Sequence, residues 1–76
     1  MTFVIVELIY RAGHEEPDER EIPGCYDTHG DCGRTAKAVA EAIGPPTYNH
    51  EDKYWWVRAA DGTKHVFFCS LQARAD

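Results

Sequence analysis

No stretch of this 76-residue chain approaches the ~20 consecutive apolar residues that a membrane-spanning helix needs. The N-terminus lacks the basic region, apolar core and small-residue cleavage site of a secretory signal. Neither a membrane nor export is therefore expected. Basic residues are scarce: eight Lys and Arg stand against 13 Asp and Glu, a formal net charge of −5. Binding to a nucleic-acid backbone is driven by Lys and Arg displacing counterions, so direct nucleic-acid binding is not expected. A protein partner with a basic surface suits the charge better. Cysteine is limited to Cys25, Cys32 and Cys69, an odd set where a secreted disulfide scaffold shows an even one. Reduced thiols in a cytoplasm are the expectation. There is no phosphate-binding glycine loop and no paired-carboxylate motif, and no cofactor is expected.

A chain this short makes one domain, residues 1–76, and buries roughly 60% of the surface its unfolded form exposes. Its strongest helix signal is "DCGRTAKAVAEAIGPP", where Ala36, Val39, Ala40 and Ile43 make one apolar stripe. Asp31 is placed to cap the start. Gly44 is placed as a left-handed stop, with Pro45 and Pro46 forbidding continuation. "FVIVELIYR" reads as a strand with Val4, Val6, Leu8 and Tyr10 on one face. Phe3, Ile5, Glu7 and Ile9 lie on the other, and Glu7 marks that face as the wetter one. "REIPGCY" reads as a short edge strand, because Pro23 cannot donate to a ladder. "TYNHEDK" reads as a polar connection.

The last segment, "YWWVRAADGTKHVFF", is a hairpin about Asp61–Gly62, a dipeptide that favours a two-residue type I′ turn. That register pairs Val57 with Val66 and Trp55 with Phe68. It assigns those four residues to the core beneath the helix and leaves Tyr54, Trp56, Arg58, His65, Phe67 and Cys69 on an open face. The expected fold is α+β: a three- or four-stranded antiparallel sheet with one helix on one face, in the order ββαββ.

Three groups of residues are candidates for function. On the open face Tyr54, Trp56 and Phe67, rimmed by Glu7, Arg58 and His65, have the composition of a binding hot spot. That face suits a protein partner or a second copy of the chain. Glu15, Glu16, Asp18, Glu19 and Glu21 place five carboxylates in a seven-residue loop able to meet Lys and Arg on a target. Cys25, His29 and Cys32 are spaced C-x3-H-x2-C, an alternative in which zinc stabilises the domain with His65 or Cys69 as a fourth ligand. Cys32 beside His29 is the one nucleophile–base pair. With no oxyanion arrangement or cleft to accompany it, a non-enzymatic protein is expected.

The helix "RTAKAVAEAI" followed by "EDKYWWVRAADGTKHVFFCS" resembles small phage-encoded anti-CRISPR proteins. Some of these share a strand, strand, helix and hairpin order, an aromatic strand, a D-G turn and a cysteine near the end. Residues 34 to 43 and 53 to 70 carry the resemblance. It implies an inhibitor that binds a CRISPR surveillance complex of the Cascade type and blocks its access to target DNA. The acidic loop and the Trp56 face would then be the contacts, in the cytoplasm of an infected bacterial host.

Overall fold

A computed structural model describes residues 2–72, which hold one helix and a five-stranded antiparallel sheet. The fold is α+β. The strands are β1 (Thr2–Tyr10), β2 (Asp18–Tyr26), β3 (Thr47–Asn49), β4 (Tyr54–Arg58) and β5 (Lys64–Gln72), and α1 is His29–Glu41. Their order across the sheet is β2-β1-β5-β4-β3. The expectation of three or four strands misses β3. This strand forms because Asn49 closes a tight loop back to β4: its side-chain oxygen accepts from the amides of Glu51 (3.0 Å) and Asp52 (2.9 Å). Among the described residues no helix is long and apolar enough to cross a membrane.

The helix starts earlier than the sequence suggests. Thr28, not Asp31, is the N-cap, and its hydroxyl accepts from the Asp31 amide at 3.1 Å. Asp31 instead sits in the first turn, where its charge suits the helix N-terminus, and pairs with Arg34. Gly44 does not take a left-handed conformation. Its role is close approach, since a Cβ there would meet Val57 Cγ2 at 3.4 Å. The small residues Cys32, Ala36 and Ala40 form the buried stripe of α1 and lie on Ile5, Val57 and Phe67.

The hairpin register differs by one residue from the type I′ expectation. Trp55 pairs with Phe67, Val57 with His65 and Arg58 with Lys64. Ala59 and Thr63 close a three-residue loop, with the Ala59 amide donating to the Thr63 carbonyl at 2.8 Å. A type I′ turn needs positive φ at both central residues, but here Gly62 alone has it (φ 89°) and Asp61 does not. A one-residue slip reverses which face each side chain of β5 occupies. Phe67, His65 and Cys69 therefore face the helix, while Val66 and Phe68 face away. β1 is reversed as well, with Ile5 and Glu7 buried on the helix side.

The turn gives a pH-dependent prediction. Asp61 accepts from the Thr63 amide at 2.9 Å, and this bond, with help from the Thr63 side chain, holds its carboxyl below the ordinary 3.8. The stabilisation is present above 3.8 and is lost as pH falls through the lowered folded value. In Asp61→Ala, exchange of the Thr63 amide should be faster at neutral pH and should lose its acid-dependent increase. A profile that matches the parent protein would contradict this role.

Candidate binding surface

Alternation along the strands sorts the sheet into two faces with different contents. On the helix side, Glu7 is 2% exposed, and both of its carboxylate oxygens are engaged. Arg20 Nε donates to one, and His65 Nδ1 lies 2.8 Å from the other. Glu7 and His65 thus form an internal polar network, stacked beside Phe67, rather than the rim of an open patch. Phe67 is 1% exposed and is the largest fully buried side chain. These three residues are removed from the candidate surface by the register of β5.

The metal alternative is overturned by a bond. Cys32 and Cys69 form a disulfide, with Cα atoms 6.1 Å apart. The first turn of α1 lies directly over β5, so two cysteines far apart in sequence meet in the core. The expectation of reduced thiols fails there, and Cys32 cannot serve as a metal ligand or as a nucleophile for His29. The His29 ring packs edge-on against Phe3 instead, at 5.6 Å. Cys25 is exposed on β2. Among the described residues no three His, Cys, Asp or Glu side chains converge as a metal site.

The opposite face carries Val4, Val6, Leu8 and Tyr10 of β1, Lys64, Val66 and Phe68 of β5, and Tyr54, Trp56 and Arg58 of β4. Tyr54, Trp56 and Arg58 are where the sequence places them; Val66 and Phe68 are additions. Among the described residues no helix or strand lies against this face. A hollow of about 500 Å³ is lined by Leu8, Tyr10, Tyr54, Val66 and Phe68, with Asp52, Lys53 and Lys64 and also His29 and Cys69 in its wall. The Lys64 ammonium sits over the rings of Trp56 (4.9 Å) and Tyr10 (5.9 Å). Such contacts favour a cation on an aromatic face. Lys53 holds a left-handed backbone (φ 58°), rare outside glycine.

At the far margin β2 is a sheet edge, and Glu19 and Glu21 share the open face because they pair with Leu8 and Val6. Asp18 points to the other side, where Arg11 pairs with it at 2.9 Å. Glu15 and Glu16 are exposed in the preceding loop. The open face therefore has an apolar centre, an acidic margin along β2, and Lys64 of central β5 beside Arg58 of β4. Of the five carboxylates read as one loop, Asp18, Glu19 and Glu21 are in β2, and Glu19 and Glu21 share the face of Tyr54 and Trp56. Comparison with protein-family models, with curated proteins and with solved structures returns no match for this chain.

Proposed function

We propose that the protein is a non-enzymatic binding protein that inhibits a larger protein by occupying its surface. The observation that carries this reading is the open sheet face, with apolar and aromatic side chains at its centre and, among the described residues, no helix or strand against it. Partly exposed aromatic side chains gathered on one such face, with Tyr10 43% exposed, suit an interaction site. The polar groups best suited to chemistry, Glu7 and His65, are engaged with one another inside the fold. The Cys32 and Cys69 sulfurs are engaged in the same way. The target has a basic surface, met by Glu15, Glu16, Glu19 and Glu21, as on a subunit that holds nucleic acid. The resemblance of α1 and the β4–β5 hairpin to anti-CRISPR proteins makes a CRISPR surveillance complex that target, in the cytoplasm of an infected bacterium. Burial of Cys32 would shield the disulfide there, because exchange requires access by a thiolate.

Charge reversal of Glu15 and Glu16 should weaken inhibition of target-DNA binding by such a complex, and Trp56→Ala should weaken it at least ~30-fold, as for hot-spot residues. An electrophoretic mobility assay with purified complex reads both. Full inhibition by the variants, or none by the parent protein, would sink this reading.

A further inference from the structure

We propose that Cys69 is a thiol-exchange site: a small anionic peptide thiol of the glutathione class enters the hollow, attacks the Cys69 sulfur and opens the Cys32–Cys69 bond. This goes beyond the target reading and does not depend on it. The two sulfurs of the bond differ in access. Cys32 is fully buried in the first turn of α1, whereas Cys69 is only partly buried and belongs to the wall of the hollow. Exchange requires a thiolate to reach a sulfur. Burial shields Cys32, so exchange is confined to Cys69.

The lengths of the strands explain how the hollow reaches Cys69, whose side chain lies on the helix side. β4 starts at Tyr54, and its pairing with β5 runs from Arg58–Lys64 to Trp55–Phe67. Beyond that point β5 continues to Gln72 with β1 on one side and, among the described residues, no strand on the other. At this open edge the hollow joins Leu8 and Phe68 of one face to Cys69 and His29 of the other, beside Asp52 and Lys53. The wall selects the ligand. Unpaired strand backbone suits the amides of a peptide. Lys53 suits a carboxylate, and Asp52 suits an ammonium. A small peptide thiol carries all of these groups.

The incoming thiolate forms a bond to Cys69 Sγ as the Cys32–Cys69 bond breaks, and the electron pair of the broken bond leaves on Cys32 Sγ. One disulfide replaces another, with no net oxidation. The products are a mixed disulfide at Cys69 and a thiolate at Cys32. A second small thiolate attacks the mixed disulfide on its own sulfur and departs as the small-molecule disulfide. The protein bond is then reduced and two small thiols are oxidised. Position makes Cys32 the better leaving group. It is the fourth residue of a 13-residue helix, whose N-terminus favours negative charge, and a sulfur stable as thiolate leaves faster. Asp31, the acidic residue of that turn, is paired with Arg34. In the opened form the first turn of α1 is no longer tied to β5, so the small-thiol pool governs how firmly the helix is held.

Incubation of the Cys25→Ser protein with reduced glutathione, quenched with N-ethylmaleimide and mapped by peptide mass spectrometry, tests the proposal. Removing Cys25 leaves only the two bonded sulfurs to react. Glutathione is expected on Cys69 and maleimide on Cys32, and ~1 M urea should change the opening rate by less than ~2-fold. Reaction through the unfolded chain would instead label both sulfurs and quicken at least about fivefold in that urea. Lys53→Glu should slow opening by glutathione at least ~3-fold while leaving opening by uncharged 2-mercaptoethanol unchanged, because only the first thiol carries charge to the wall. Glutathione on Cys32 or on both sulfurs, a urea-quickened rate, a bond that stays closed, or Lys53→Glu acting alike on the two thiols would overturn the proposal. Inhibition of the target is read separately with Glu15 and Glu16 in protein whose bond is closed, so the two readings fail independently.

Discussion

Loss of the Cys32–Cys69 bond is expected to lower the unfolding free energy by about 4 kcal/mol. The bond joins residues 37 apart in sequence, and a cross-link closing a loop of that length restricts the unfolded chain by roughly that amount. Against totals of ~5–15 kcal/mol, such a term is from about a quarter to about four-fifths of a domain's stability. The effect is also local. Cys32 is fully buried in the first turn of α1, so the bond pins that turn to β5. Urea unfolding with and without reductant, and of the Cys32→Ala/Cys69→Ala variant, measures it. Midpoints that coincide would mean that the bond contributes nothing.

Glu7→Ala is expected to cost about 3 kcal/mol, the low end of the range for breaking a buried charged pair. The low end applies because the partners left behind are not equally buried: the Arg20 side chain is 66% exposed and that of His65 is 18% exposed. Water can therefore recover Arg20 but reaches His65 poorly. Combining Glu7→Ala with His65→Phe should give a coupling of about 1 kcal/mol or more, as for contacting groups in one network. The same substitution at a solvent-facing carboxylate changes stability by about 0.5 kcal/mol at most. A value that small would return Glu7 to the open face and with it the whole of β1.

The helix, the edge position of β2 and the hairpin at Gly62 were all legible, because each rests on a local rule. Pro45 and Pro46 stop a helix, Pro23 needs an edge, and Gly62 supplies positive φ. What local rules do not decide is loop length. "AADGT" fits a two-residue turn or a three-residue loop with a bulge, and both use the same glycine. The choice moved Phe67 inward and Phe68 outward, and it carried His65 and Cys69 to the helix side. Glu7 was legible as an anomaly on an apolar strand, yet the polarity rule read it backwards. A carboxylate with two partners is as compatible with burial as with water. The pairing of Cys32 with Cys69 could not be read from an odd cysteine count, since it depends on where α1 lies over β5. Trp56 stays on the face away from the helix, but the acidic run is not one loop: Asp18, Glu19 and Glu21 belong to β2, and only Glu15 and Glu16 precede it. The joint membership of Glu19, Glu21 and Trp56 in one surface follows from the β1–β2 register, which pairs Glu19 with Leu8 and Glu21 with Val6.

The account rests on the odd-numbered residues of β1 and β5 lying under α1 while the even-numbered ones face away from it. Nuclear Overhauser spectroscopy of the isotope-labelled protein tests both halves together. The expected result is contact from Ile5, Val57 and Phe67 to Ala36 and Ala40 of α1, with none from Val6, Leu8, Val66 or Phe68. Contacts to α1 from the even-numbered set, or none from the odd-numbered set, would contradict it.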